Sequence, residues 1–216
     1  VSLDRANFIR THTELAAPPL VPEVRLHLAT EVTPLWLATE AFLEANNLPP
    51  PYWAFAWVGG QALTRWLLDN PEQVRGKRVL DFAAGCGLSA IGAALGGADR
   101  SEAAEIDAFS IAAIQLNAAA NQVAVDVIRE DIVGAANPGW DLVVAGDVCY
   151  ERPMAERVFA WFRRLAAEGT QVLMADPGRS YLPQFGLLRL ATYQVPCSRD
   201  LEDRDMRDVG VYRIVG

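Results

Sequence analysis

The 216-residue chain predicts an α/β fold. One domain carries a seven-stranded, mostly parallel sheet with a C-terminal antiparallel strand, preceded by a helical N-terminal extension. Two observations lead there. From Val58 onward, short runs rich in β-branched and aromatic residues alternate with helix-length segments, the rhythm of parallel strands joined by crossover helices on both sheet faces. The last two apolar runs have no helix-sized apolar segment between them, which calls for antiparallel pairing.

The elements follow in order. Pro22 to Ala29 and Leu35 to Ala45 carry Leu, Val, Trp or Phe at helical spacing and predict two helices. Asn46 to Pro51 stops the second, because proline lacks an N–H and disfavours helix in the residue before it. This places the boundary between an extension over 1–50 and a core over 51–216. In the core, a helix over Gln61 to Asp69 ends at Asn70-Pro71. Strands are expected over Lys77 to Phe82, Ser101 to Ile106, Val123 to Arg129, Trp140 to Ala145 and Gln171 to Ala175. Helices over Leu88 to Leu95, Phe109 to Asn121 and Pro153 to Ala167 fall between them. Leu188 to Val195 and Val209 to Val215 complete the sheet, and the mixed-charge run Arg199 to Asp208 is read as a solvated loop.

Composition excludes several function classes. A net charge of −8 argues against a nucleic-acid partner, since phosphate binding needs clustered Lys and Arg. It favours a basic partner such as a lysine-bearing protein. The two histidines, His12 and His27, precede the core, so histidine triads and zinc sites are not expected and no metal is assigned. Cys86, Cys149 and Cys197 are widely spread without metal-ligand spacing, a pattern suited to a reducing compartment. No apolar run approaches the ~20 residues that cross a bilayer, and Val1 to Arg10 lacks the apolar core of a signal peptide. These features predict a cytoplasmic protein with no membrane partner; nothing in them fixes an oligomeric state.

The densest motif is Val79-Leu80-Asp81-Phe82-Ala83-Ala84-Gly85-Cys86-Gly87-Leu88-Ser89. A strand enters a turn of small residues and leaves as a helix, whose first N–H groups suit an anionic ligand group. Two kinds of nucleotide cofactor use such a loop. Gly85, Gly87 and Ala90, with Glu105 twenty residues beyond Gly85, fit the nicotinamide dinucleotide pattern. Asp81 weighs against that pattern. A carboxylate ahead of the loop repels a pyrophosphate and attracts the ammonium of a methionine moiety. Glu130-Asp131 after the third strand and Gly146-Asp147-Val148-Cys149-Tyr150 after the fourth lie where ligands of open α/β sheets bind. Each is singly explained as a turn or a solvated strand end; together they support a methyl-donor site.

These residues resemble the Rossmann-like class I S-adenosylmethionine-dependent methyltransferases. The segment Pro51-Tyr52-Trp53-Ala54-Phe55-Ala56-Trp57-Val58-Gly59-Gly60-Gln61-Ala62-Leu63 is similar to the family 16 protein methyltransferases, and within them to the branch acting on lysine in the electron transfer flavoprotein β subunit. The Leu67 to Pro71 helix end, Asp147-x-x-Tyr150 and Asp176-Pro177-Gly178-Arg179 continue the likeness, which weakens in the N-terminal helices around Thr13-Glu14 and Pro22 to Leu28. The resemblance implies S-adenosylmethionine as cofactor and the flavoprotein β subunit as protein substrate, with another protein or a small amine as the alternative acceptor. It places Gly85 and Gly87 against the methionine portion, Glu105 on the ribose hydroxyls, Asp131 near the adenine, and Trp57 against the cofactor.

One departure concerns Ala83, where the family usually has glycine. Its methyl group requires a negative φ and implies weaker cofactor binding; a catalytically silent cofactor-binding module is the alternative it raises. Asp147 and Tyr150 occupy the positions the family places beside the target lysine, with Trp53 expected on the same slot. Packing between extension and core is the competing reading of Trp53. Arg179 could bind an acidic group of the substrate or form a salt bridge within the fold. Trp36, Trp66, Trp140 and Trp161 read as packing residues. Cys86, at a helix start that lowers a thiol's pKa, is given no role.

Overall fold

The structure is a computed structural model that describes residues 4–30, 35, 50–198 and 204–215. The sheet forms where the apolar runs are. Strands β3 (Arg78–Phe82), β4 (Arg100–Ala104), β5 (Asp126–Ile128), β6 (Leu142–Gly146) and β7 (Gln171–Asp176) pair in parallel. β9 (Met206–Ile214) runs antiparallel between β7 and β8 (Leu187–Pro196), giving the order β5-β4-β3-β6-β7-β9-β8. β3, β6 and β7 are almost wholly buried, as strands covered on both faces must be.

On one face, α2 (Val58–Asp69) buries Leu63, Trp66 and Leu67 with Val144, Leu173 and Val211. On the other, α5 (Arg152–Ala167) packs Trp161 and Phe162 against Phe82, with ring centroids 5.1 and 5.7 Å away. Helix α3 (Leu88–Leu95) follows β3, and α4 (Ala108–Ala120), capped by the Asp107 carboxylate, follows β4. The chain steps from β3 to β4 in one direction and later places β6 on β3's other side. That reversal opens a crevice at the C-terminal strand ends, where open α/β sheets bind ligands.

The N-terminal segment differs from its expected form. α1 (Arg5–His12) is capped by Asp4, and β1 (Glu14–Ala16) pairs antiparallel with β2 (Leu26–Leu28). The helix expected over Pro22 to Ala29 is thus a turn and a strand. Leu26 and Leu28 are buried while His27 between them is less so, a period of two. The extended backbone finds partners on α4 and its C-cap, where Asn117 accepts from His27 N–H and the capping Asn121 from Arg25 N–H. The helix expected over 35–45, apart from buried Leu35, lies outside the described residues. So do residues 46–49 of the proline stop and residues 199–203 of the expected loop, whose last three residues, Met206 to Asp208, instead begin β9. No helix among the described residues is long and apolar enough to cross a membrane.

Candidate active site

The crevice holds a cavity of about 590 Å³ reached from the ends of β3, β4, β5 and β6. Its floor is the loop after β3. Ala83, Gly85 and Gly87 all have positive φ, at 53°, 54° and 80°. Ala83 therefore takes the left-handed turn despite its methyl, contrary to the expected negative φ, at a strain of about 1–2 kcal/mol. A Cβ on Gly85 would meet nothing within 4 Å, so the glycine serves conformation there. Gly87 lies outside the cavity lining; a Cβ on it would come within 3.1 Å of Ile114 on α4. Its contact is with the helix behind the loop.

Glu105 at the end of β4 lines the cavity and accepts from Gly85 N–H at 3.0 Å. Its other oxygen takes the N–H groups of Ile106 and Asp107 at 2.8 and 3.1 Å. The carboxylate thereby ties the β4 turn to the loop. Asp131 is also on the wall, accepting from Val133 N–H and paired with Arg157 at 3.2 Å. The Val133 amide, then Arg157, hold its pKa below the usual carboxylate range. Arg157, a wall residue from α5, escaped the sequence reading because its partner lies across the fold. Trp57 lines the cavity, and its indole N–H donates to the Tyr52 carbonyl at 3.0 Å.

Asp147 at the end of β6 is the most constrained group. Its own φ is 57°, its N–H donates to Ala175 O at 3.0 Å, and its side chain is 11% exposed. Oδ2 accepts from Gly60 N–H at the start of α2 at 3.1 Å, and Oδ1 meets Arg179 at 3.2 Å. Burial pushes its pKa up to about 6 against the pull of Arg179. Gly59 and Gly146 make this junction possible. A Cβ on Gly59 would lie 2.5 Å from Asp147 Oδ2, and one on Gly146 2.6 Å from Gly60 N. Arg179 is positioned by Asp176, whose Oδ1 accepts from Gly178 and Arg179 N–H at 2.7 Å each. The internal salt bridge expected of Arg179 is thus present. Tyr150, half exposed on the cavity, faces the Tyr52 ring at 6.1 Å. Tyr52 received no role from the sequence, although it lay within the tryptophan-rich segment.

Three further expectations are corrected, beside those for Ala83 and Gly87. Asp81 does not reach the cavity wall. It is buried behind the loop and accepts from Ala90 N–H at 2.9 Å, and burial pushes its pKa up to about 7. Trp53 does not reach the slot either. It is 2% exposed and stacks on Phe109 at 5.8 Å, because an indole gains more by filling the joint between α1 and α4. Cys86 is buried and its thiol is pushed up to about 12, so desolvation outweighs the helix start.

The residues present fit S-adenosylmethionine. Glu105 and Asp131 supply acceptors at successive strand ends, with apolar Phe82, Ile106 and Val133 between. A pyrophosphate fits poorly. Gly85 N–H is given to Glu105, and the lining arginines, Arg157 and Arg179, are already paired with carboxylates. Among the described residues no cluster could hold a metal ion.

Residues 54–146 match the model of the methyltransferase small domain family. The fold is similar to a magnesium protoporphyrin IX methyltransferase from Synechocystis with bound S-adenosylmethionine, at TM-score 0.54 and 17% identity over 73% of this chain and 78% of that one. The chain is 39% identical to the electron transfer flavoprotein beta subunit lysine methyltransferase of Xenopus laevis, over 95% of this chain and 85% of the relative. It is 40% identical to that of Homo sapiens, over 82% and 67%, and 32% identical to the Caenorhabditis elegans homolog, over 83% and 79%. With such identity along nearly its whole length, the chain belongs to the family of electron transfer flavoprotein beta subunit lysine methyltransferases.

Proposed function

We propose that this chain methylates a lysine side chain of the electron transfer flavoprotein β subunit, with Asp147 and Tyr150 at the acceptor end of the cavity. The observation that carries the assignment is the fixing of Asp147 between Gly60 N–H and Arg179, at the same cavity that Glu105 and Asp131 line. S-adenosylmethionine, when bound, supplies an electrophilic methyl group on a positively charged sulfur. The chain's part is to bring a neutral amine into line with it.

Glu105 and Asp131 provide acceptors for the ribose hydroxyls and the adenine amino group, and Ala83 and Gly85 form the floor beneath them. With its pKa near 6, Asp147 is charged at neutral pH and attracts the lysine ammonium. The rings of Tyr150 and Tyr52 flank the approach and favour a cation on an apolar stem. An anion beside an amine raises the amine's pKa, so Asp147 orients the lysine and the proton leaves to solvent. Lysine has an ordinary pKa of ~10.4, and holding the reactive fraction in line supplies much of the rate. Because the loop keeps its turn at Ala83, the reason for reading the chain as a silent module loses force.

The test is incubation of the purified chain with labelled S-adenosylmethionine and recombinant flavoprotein β subunit, followed by peptide mass spectrometry. Label on a lysine of that subunit is the expected result. Label only on other proteins or on small amines would overturn the substrate, and donor binding without any transfer would overturn the activity.

A further inference from the structure

We propose that Asn117 is a positioning residue for the cofactor loop, and that through it the N-terminal strand β2 becomes part of the methyl-donor site. The proposal rests on reading the cavity as that site. Asn117 lies in an alanine-rich helix, where asparagine is a poorer helix former than its neighbours, and it is fully buried. A polar side chain in that position must be hydrogen-bonded, and its partners define its work. Its Nδ2 donates to the Cys86 carbonyl at 2.8 Å, and its Oδ1 accepts from His27 N–H at 2.8 Å.

Cys86 sits between two left-handed glycines, Gly85 and Gly87. Glu105 holds Gly85 N–H from one side, and Asn117 holds Cys86 C=O from the other. The two bonds flank the Gly85–Cys86 peptide and fix the cavity floor. One turn before Asn117, Ile114 backs Gly87, so a single face of α4 braces the whole bend. The amide oxygen fixes the orientation of Asn117 only while His27 N–H is presented to it. A strand far from the loop in sequence thus governs the loop's order.

Replacing His27 separates this coupling from simple packing. His27→Ala removes the side chain and its 3.3 Å contact with Thr13 but keeps the backbone N–H. His27→Pro removes the N–H as well, in an extended segment that tolerates proline. Asn117→Asp keeps an oxygen for His27 but loses the donor to Cys86. We expect His27→Pro and Asn117→Asp to weaken S-adenosylmethionine binding by about five- to tenfold, the worth of one buried hydrogen bond. Both should also speed amide hydrogen exchange over residues 83–88, while KM for the protein acceptor stays constant and His27→Ala stays within about twofold of the parent. Unchanged donor affinity and exchange in folded Asn117→Asp and His27→Pro proteins would overturn the proposal, as would equal losses in His27→Ala. If the parent chain bound no donor, the reading of the cavity would fall, and loop exchange would still decide whether the brace exists.

Discussion

Asp147 Oδ2 lies 3.1 Å from the Gly60 N–H, so the end of β6 and the start of α2 are joined by one carboxylate. The helix N-terminus, with its exposed donors and partial positive charge, stabilises the anion there. Arg179 takes the other oxygen at 3.2 Å. The group expected to meet the substrate is therefore also a structural clasp, and its variants must be read with that in mind.

Asp147→Asn keeps an acceptor for Gly60 and removes the charge. Turnover should fall by about 100-fold or more, while S-adenosylmethionine affinity measured by calorimetry changes by less than about twofold. Full activity in this variant would remove Asp147 from the acceptor site.

Gly59→Ala probes the same clasp from the helix side. The added Cβ would lie 2.5 Å from Asp147 Oδ2 and 2.7 Å from the Ala175 carbonyl, and a backbone carbonyl in a central strand has little room to retreat. Denaturant unfolding should show a loss of about 1–3 kcal/mol, accompanied by lower activity. An unaltered midpoint would mean that the α2 start shifts freely.

Ala83→Gly should stabilise the protein. Alanine at φ 53° carries about 1–2 kcal/mol of strain, and glycine gives back part of the gain through a freer unfolded chain. A net gain of about 0.5–1 kcal/mol corresponds to a Tm rise of about 1–4 °C for a domain of this size. A fall in Tm would show that the methyl's packing outweighs its strain.

Asp81 gives the stability a pH dependence of definite sign. Its carboxyl ionises near 3.9 in the unfolded chain and at about 7 when buried in the fold. Between those values the native state holds a proton that the unfolded state has released. Its contribution to stability therefore falls as pH rises through the window and is level above it. Asp147, raised to about 6 by burial, acts in the same sense over a narrower range. Asp81→Asn keeps an acceptor for Ala90 N–H, so the decline in unfolding free energy from pH 5 to pH 8 should become shallower. An identical slope in both proteins would mean that Asp81 is ionised in the native state.

The sheet was legible because its signals are local. Apolar runs such as Val79 to Phe82 and Leu142 to Ala145 are long enough to be strands and are separated by helix-sized segments, and strand order then restricts where a ligand can bind. Glu105, Asp131, Asp147 and Tyr150 could be singled out because each follows a strand at its C-terminal end. In the N-terminal segment the same logic failed. Pro22 to Ala29 has apolar residues at helical spacing, yet Asn117 on α4 and Asn121 at its C-cap bind its backbone as an extended strand.

Sequence by itself determined the order of the core elements from α2 to β9, the crevice at the strand ends and the residue types on its rim, because these depend on short-range periodicity and chain direction. Only the tertiary structure decided which way each side chain faces. It turned Asp81 and Trp53 inward, clasped Asp147 between Gly60 and Arg179, and accommodated Ala83 in a left-handed turn. The reason is that burial and hydrogen-bond partners come from segments distant in the chain, and a buried polar group goes wherever its partner is.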